Sequence, residues 1–326
     1  MNKNNEPAVR RERNPYAWKR KIKRNFWAVI RGLLVFGLCF LIIQPLLSKL
    51  SLSFMTLTDL FDSTVINIPR EPTTVNYRFV RELMSYDLAF RNSLWVTLLV
   101  AVLQVAAATV VGYGFARFRF PFQNFLFGLV LFTIIIPPQT IMTALYMNFR
   151  FFDIFGIITL IRGEPLNLLN TIIPYFILCL GCMGLKGGLY IYLMRQFFRG
   201  MPKELEEAAY VDGLGPFGTF VRIMAPGAKP MMTSCFLFSF VWQWTDGFYP
   251  VLFFRNFTLI SVAVDSLADR FGHYWNVVLG HGVAPPSLVE LIQATGVLMT
   301  MAPVLLMYLF AQRGFLESIN HSGIKA

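Results

Sequence analysis

Charged residues are scarce in this sequence. They make up 14% of the 326 residues, whereas 56% of the residues are hydrophobic. Soluble domains carry about 25% charged residues, so an ordinary soluble globular protein is excluded. Disorder is excluded as well, since 33 Phe, 12 Tyr and 6 Trp residues add more apolar surface than a solvated chain tolerates. The composition is typical of an integral membrane protein.

Cysteine and histidine are also rare. The four cysteines all lie in apolar runs, where packed thiols are more common than disulfide frameworks. They are Cys39, Cys179, Cys182 and Cys235. Cys179 and Cys182 have the C-x-x-C spacing, but no βαβ pattern surrounds them, which disfavours a redox role. The three histidines are not spaced as metal ligands, so we predict no metal site.

The motifs of several large enzyme classes are missing from the chain. No Gly-x-x-x-x-Gly-Lys-Ser/Thr phosphate loop is present, so we expect that this chain does not hydrolyse ATP. No Gly-x-Ser-x-Gly or His-Glu-x-x-His pattern occurs either. We therefore predict no catalytic residue, no enzyme activity and no cofactor in this chain.

Long apolar runs are what the sequence does contain. A bilayer core requires about 20 mostly apolar residues per helix, and six segments meet this condition. They are Gly32–Leu50, Leu94–Phe115, Phe125–Met147, Leu169–Leu193, Met231–Phe254 and Leu288–Phe310. The sequence therefore predicts an all-α, polytopic membrane protein with six transmembrane helices.

The basic residues are distributed unevenly between the two sides of the predicted bundle. Six spans put both termini on one side, and that side then holds 19 Lys and Arg residues against eight in the opposite loops. The bias predicts that both termini are cytoplasmic. The basic run Arg10–Arg24 is then a topological anchor, because no stacking or groove-reading motif accompanies it to indicate nucleic-acid binding.

The spans divide the chain into five parts. The prediction is a basic tail (1–31), a first span (32–50), an extracytoplasmic loop (51–92), a core of five spans (93–311) and a cytoplasmic tail (312–326). A second long outer region covers residues 255–287. Both outer regions contain charged and aromatic residues, which suit either a cap on the bundle or a docking surface for an external partner.

The inner loop Arg195–Pro230 has the pattern of two short helices. Pro202 and the acidic residues after it suit a helix start. Gly213 and Gly215 suit its end, and Pro216 suits the start of a second helix that ends before span five. Each predicted helix has one face made of small or apolar residues. These residues are Leu205, Ala208 and Ala209 on the first helix, and Phe217, Phe220, Val221 and Met224 on the second.

Such a helix pair has two possible environments. Helices that lie along lipid headgroups usually carry Lys and Arg on their polar face. This loop carries Glu204, Glu206, Glu207 and Asp212 instead. The charges therefore favour docking into a soluble partner.

The loop also resembles a known family. Glu207-Ala208-Ala209, Asp212-Gly213 and Ile223–Pro226 are similar to the EAA loop of bacterial ABC importer permeases. Leu214, Ala225 and Gly227 depart from the residues usual there. The likeness covers roughly residues 90–326, and the segments Gly112–Pro121 and Leu193–Phe198 resemble the carbohydrate (MalG-like) subfamily.

The resemblance implies a function and an assembly. It implies a type I permease in a bacterial plasma membrane that pairs with a second permease as a heterodimer. Two cytoplasmic ATPase subunits would bind the ATP-Mg, and an extracytoplasmic solute-binding protein would deliver the cargo, a carbohydrate, by docking on 51–92 and 255–287. Residues expected to couple to the ATPase are Glu207, Ala208, Ala209, Asp212, Gly213, Phe217, Phe220, Met224 and Pro226.

Polar residues and prolines within the spans are candidates for a substrate path, since such residues usually face a cavity or a partner. In span five, Gln243, Trp244 and Asp246 combine an aromatic face with polar groups, which suits a sugar. The alternatives are an interfacial Trp and a solvated Asp near the headgroups. In span three, Pro137 and Pro138 interrupt the helix, either as a pivot or as a fixed kink.

Two other functions remain compatible with the sequence. One is an importer of the same design for amino acids, peptides or another solute. The other is a membrane channel or scaffold without ATP coupling. Binding of the inner loop to an ATPase separates the importer from the channel or scaffold.

Overall fold

A computed structural model describes residues 17–255 and 257–323. Within these ranges the chain is helical, and its one β-type contact is an isolated bridge between Phe152 and Leu166. Residues 1–16 of the predicted basic tail and residues 324–326 of the predicted C-terminal tail lie outside the described residues.

The chain forms seventeen α-helices in the described ranges. The first nine are α1 (Ala17–Ser53), α2 (Leu57–Phe61), α3 (Val75–Leu83), α4 (Tyr86–Arg117), α5 (Gln123–Ile135), α6 (Met142–Arg150), α7 (Ile157–Arg162), α8 (Ile173–Leu180) and α9 (Gly187–Gly200). The others are α10 (Glu204–Val211), α11 (Pro216–Thr219), α12 (Ala225–Gly227), α13 (Lys229–Trp244), α14 (Phe248–Phe253), α15 (Ile260–Asp265), α16 (Leu267–His273) and α17 (Pro286–Gly323). A 3₁₀ turn (Pro138–Ile141) and two π-helical turns (Phe220–Met224 and Tyr274–Val278) complete the helical structure.

Three helices are long and apolar enough to cross a bilayer alone. They are α1, α4 and the first 25 residues of α17. A fourth crossing is complete if α5 and the segment Pro138–Arg150 are counted together, although the chain bends by 100° between them. The bend confirms the predicted interruption at Pro137 and Pro138, where proline removes backbone N–H donors from the helix.

The fourth and fifth predicted spans are not single helices, which corrects the sequence prediction. Leu169–Leu193 divides into α8 and α9 around residues 181–186, and Met231–Phe254 divides into α13 and α14 around residues 245–247. The first break is built from glycines and from Cys182 and Lys186, both of which have positive φ. The second break contains Asp246 and Gly247, which favour turns over helix interiors.

Glycine is required where α9 approaches its neighbours. A Cβ on Gly188 would lie 2.4 Å from Thr133 Oγ1 and 2.7 Å from the carbonyl oxygen of Val130 in α5. A Cβ on Gly187 would lie 2.4 Å from the carbonyl oxygen of Cys182. The glycines therefore allow both close helix packing and the break.

Helix α4 forms the centre of the bundle. It packs against α8, α9 and α13, and its buried face contains Val96, Val100 and Ala101. Helix α1 lies at the edge, where it packs against α17. No residue in the most apolar stretch of α1 is buried within this chain, so this surface is available to lipid or to another membrane subunit.

Candidate functional site: the inner helix pair and the broken spans

The inner loop has helices at the predicted positions. Helix α10 ends at Val211, and Gly213 adopts the left-handed conformation with φ of 83°. Gly213 donates a backbone hydrogen bond to Tyr210 (3.0 Å) and Leu214 donates one to Ala209 (3.0 Å), which together form a Schellman motif. Pro216 then starts α11. The result is a helix, a tight glycine turn and a second helix.

The first helix turns a different face inward from the one that its apolar pattern predicts. Glu206 and Ala209 are buried, whereas Leu205 and Ala208 are exposed. The reason is a polar contact that no local pattern shows. Glu206 accepts a hydrogen bond from the Tyr113 hydroxyl (2.9 Å), and its other carboxylate oxygen lies 3.5 Å from Arg117 Nε.

The contact around Glu206 attaches α10 to the end of α4. The Arg117 side chain is only 7% exposed and also donates a hydrogen bond to the carbonyl oxygen of Met201 (2.8 Å). The Tyr113 ring packs against Phe220, with 4.8 Å between the ring centroids. Both halves of the inner helix pair are therefore held by the same end of α4.

The predicted coupling residues fall into an exposed group and a buried group. The exposed group comprises Glu207, Ala208, Asp212, Gly213, Phe217 and Pro226. Phe217 is 80% exposed, so the helix pair presents an apolar side chain to its surroundings. Ala209 and Met224 are fully buried and Phe220 is half-buried, so the chain's own core uses part of this apolar face.

Trp244 lies in the core and has almost no exposed surface. Its indole N–H donates a hydrogen bond to the carbonyl oxygen of Thr300 (3.0 Å), and its ring stacks on Phe240 at 5.7 Å. The ring is 1% exposed in the isolated chain. Trp244 therefore packs α13 against α17 in this conformation and is not at the surface as an interfacial Trp.

Asp246 is buried at the break between α13 and α14. One carboxylate oxygen accepts a hydrogen bond from the backbone N–H of Phe248 (2.9 Å), which caps α14. The other oxygen, Oδ2, is buried and has no hydrogen-bond partner among the described residues. Gln243, one turn earlier, is also buried. A solvated Asp near the headgroups is therefore the wrong description of this residue.

A small cavity lies between the break in the third predicted span and the break in the fourth. It has a volume of about 170 Å³ and is lined by Pro138, Lys186 and Tyr249, among others. The Lys186 ammonium lies 4.9 Å from the centre of the Trp242 ring. Pro137 precedes the 3₁₀ turn at the edge of this region. The breaks at 136–138 and 181–186 thus meet around one cavity.

The two predicted outer regions contact each other. The Phe79 ring of α3 lies 6.1 Å from Phe271 and 5.3 Å from Tyr274, and Arg270 donates a hydrogen bond to the carbonyl oxygen of Leu83. Near α2, hydrogen bonds from the Thr64 hydroxyl and backbone lower the pKa of the Asp62 carboxyl. The described parts of the two regions therefore pack against each other through α3, α16 and the π-helical turn that follows α16.

The described residues contain no cluster of His, Cys, Asp and Glu that could hold a metal ion. All four cysteines are free thiols. Of the contacts described above, sequence reasoning missed the one around Glu206. The signals available were an acidic residue beside the inner motif and the Tyr and Arg at the end of α4, which lie about 90 residues apart in the chain.

Comparisons with known proteins give a consistent result. The family described as "Binding-protein-dependent transport system inner membrane component" matches residues 104–313. An arabinooligosaccharides transport system permease protein of Halalkalibacterium halodurans is 26% identical over 313 residues, covering 93% of this chain and 100% of the relative. A trehalose transport system permease protein of Mycobacterium tuberculosis is 30% identical over 224 residues, covering 69% of this chain and 73% of the relative.

A solved structure has the same fold. It is a chain of a bacterial ABC transporter involved in the import of the acidic polysaccharide alginate. The TM-score is 0.65 with 16% sequence identity, and the match covers 89% of this chain and 97% of that chain.

Proposed function

This chain belongs to the family of binding-protein-dependent transport system inner membrane components, and from this premise we propose that the solute it imports is a carbohydrate. It is the permease component of an ABC importer. The proposal of a carbohydrate rests on relatives whose names specify arabinooligosaccharides and trehalose. An importer of the same design for an amino acid or a peptide is the alternative that the cargo test below separates.

The energy source in this proposal is a separate ATPase that binds the inner helix pair. The supporting observation is the exposed surface of α10 and α11, where Glu207, Ala208 and Phe217 make few contacts within this chain. The opposite face of α10 is fixed to α4 through Glu206. A displacement of the helix pair would therefore be transmitted to the central helix of the bundle, as alternating access requires.

The proposed topology has six crossings with both termini in the cytoplasm. Helices α8 and α9 contain 8 and 14 residues, and at about 1.5 Å per residue they together reach roughly the 30 Å of a bilayer core. Helices α13 and α14 contain 16 and 6 residues and are of similar combined length. Each broken pair thus counts as one span, and the broken backbone faces protein or a water-filled path.

The proposed assembly contains a second permease, two copies of the ATPase and an extracytoplasmic solute-binding protein. The unburied apolar surface of α1 suits contact with lipid or the second permease. The outer surface of 51–92 and 255–287 suits the binding protein. ATP-Mg is bound by the partner ATPase, and this chain requires no cofactor.

The cargo path in this proposal follows the broken spans. Broken helices near the middle of a membrane are common at transporter binding sites. Pro138 borders the cavity of about 170 Å³ described above. Asp246 and Gln243 are buried polar residues close to the break between α13 and α14. Contact of cargo with Trp244 requires a conformation in which its hydrogen bond to Thr300 is broken, because the ring is buried here.

Uptake by the reconstituted importer tests the proposal. We expect proteoliposomes that contain the full complex to accumulate a labelled oligosaccharide only when ATP and the loaded binding protein are both present. A panel of labelled sugars, amino acids and peptides identifies the class of cargo. Accumulation of amino acids or peptides alone would contradict the carbohydrate assignment, and downhill flux without ATP would indicate a channel.

A further inference from the structure

A basic cavity lies beside α10, between the ends of α4 and α9. Its volume is about 680 Å³. Five basic side chains line it: Arg117, Arg119, Arg195, Arg199 and Lys203. Two carboxylates, Glu206 and Glu207, are also at its wall. Basic groups from three different segments therefore converge on one space.

Most of this positive charge is not neutralised within the chain. Arg117 lies near Glu206, but its Nε is buried without a hydrogen-bond partner among the described residues. No ion pair or hydrogen bond is formed by the side chains of Arg119, Arg199 and Lys203 in the part of the chain that the structure describes. Arg195 lies over the Phe127 ring at 3.8 Å, where it has no carboxylate partner.

The convergence of like charges has an electrostatic cost. Arg195 and Arg199 are one turn apart on α9 and both line the cavity, so two like charges lie close together. An anion within the cavity would remove this repulsion and satisfy the free guanidinium donors. The arrangement is thus built to receive negative charge.

We infer that the cavity binds a phosphate group, and that the headgroup of an anionic phospholipid in the inner leaflet supplies it. Guanidinium groups match phosphate oxygens in bidentate geometry. Arg117 is the last residue of α4 and Arg195 lies near the end of α9, so the proposed topology puts both at the cytoplasmic ends of spans, close to the headgroups. Basic pockets between transmembrane helices on the cytoplasmic side bind anionic headgroups. The choice of lipid over a soluble phosphate ester rests on the orientation given under Proposed function.

The lipid would act on the helix that contacts the ATPase. Lys203 immediately precedes α10, and Glu206 lies on α10 and faces Arg117. A phosphate in the cavity binds Lys203 and shares Arg117 with Glu206. The position of α10 then depends on whether the lipid is bound.

Native mass spectrometry of the purified permease complex tests this inference. The complex is placed in phosphatidylcholine nanodiscs with a small fraction of phosphatidylglycerol, and the retained phosphatidylglycerol is counted. The wild-type complex is expected to retain it. Arg119→Gln with Arg199→Gln should weaken retention about 25-fold, since both arginines line the cavity and each basic residue at an anionic headgroup contributes about fivefold.

Two further variants serve as controls. Lys23→Gln with Arg24→Gln removes the same charge from the exposed start of α1, outside the cavity, and should weaken retention much less than the cavity variant does. Arg119→Lys with Arg199→Lys keeps the charge and should retain most of the lipid. Both target arginines are exposed, so their replacement leaves the core intact.

The remaining outcomes overturn the inference. Equal retention in wild type and in the double Gln variant means that no lipid site exists here. Binding of inorganic phosphate to the complex in pure phosphatidylcholine, without retention of phosphatidylglycerol, means that the ligand is a soluble phosphate. Retention that appears only after the ATPase is removed means that an acidic segment of the ATPase occupies the cavity. None of these measurements depends on transport. A failure of the carbohydrate proposal would therefore leave the lipid-retention results unchanged.

Discussion

At the scale of single residues, two adjacent glutamates have opposite environments. Glu206 faces inward toward Tyr113 and Arg117, whereas Glu207 is exposed at the rim of the basic cavity. Their neighbouring positions give a matched pair for mutation. Replacement of Glu206 removes an internal contact, whereas the Glu207 side chain forms no hydrogen bond or ion pair among the described residues.

Glu206→Ala should destabilise the protein and reduce transport. Removal of the carboxylate leaves Arg117 and the Tyr113 hydroxyl without their partner, which costs about 1–3 kcal/mol. Tyr113→Phe should cost about 1 kcal/mol, because it removes one hydrogen bond. Thermal unfolding in detergent measures both effects. The control Glu207→Ala should change stability by less than about 0.5 kcal/mol, and an equal loss in both glutamate variants would refute the distinction.

Asp246→Asn tests whether the buried carboxylate belongs to the cargo path. Asparagine keeps the acceptor for the backbone N–H of Phe248, so the cap of α14 is preserved. We expect the folded stability to be maintained while the rate of ATP-driven uptake falls, because Oδ2 loses its negative charge. Unchanged uptake kinetics would assign Asp246 to the structure of the break alone.

At the scale of helices, Gly213 determines the angle between α10 and α11. The turn at residues 212–215 that joins these helices is called the elbow below. Gly213→Pro should abolish transport but leave membrane insertion intact. Proline fixes φ near −65°, whereas Gly213 has φ of 83° and donates a hydrogen bond to Tyr210 that proline cannot donate. Gly215→Ala is the control, since Gly215 has φ of −76° and no atom lies within 4 Å of where the added Cβ would be. Normal uptake by the Gly213→Pro protein would exclude the elbow from the mechanism.

The contact between α5 and α9 depends on another glycine. Gly188→Ala places a Cβ against Thr133 and Val130 and should destabilise the protein by about 1–3 kcal/mol through overpacking. Gly128→Ala in α5 has nothing within 4 Å of the added Cβ and should be neutral or slightly stabilising. Thermal unfolding measures the stability of the two variants. Similar unfolding temperatures would contradict the close packing of Gly188 against α5.

The elements also show which features a sequence can predict. The elbow and the bend at Pro137 and Pro138 were predictable because proline and glycine act through local backbone geometry. The break around Asp246 was not predicted, since Met231–Phe254 remains apolar through it. The inward face of α10 was not predicted either, because the Tyr113–Glu206 contact joins positions 93 residues apart. A tertiary hydrogen bond overrides the local apolar pattern there.

At the scale of the whole molecule, the chain has a fixed interior and several surfaces that require partners. Helix α4 connects the buried clusters, and its end holds the inner helix pair. The apolar surface of α1, the exposed face of α10 and α11, and the joined outer loops face away from this interior. Such an arrangement is that of one subunit in a larger transport complex.

In the proposed importer, the exposed face of α10 contacts the ATPase. Site-directed cross-linking in the native membrane tests it most directly, with Ala208→Cys as the probe and the fully buried Ala209→Cys as the matched control. We predict a cross-link between Ala208→Cys and an ATPase subunit that changes in yield when ATP is bound, and none from Ala209→Cys. Recovery of the assembled complex without any cross-link from Ala208→Cys would contradict the account.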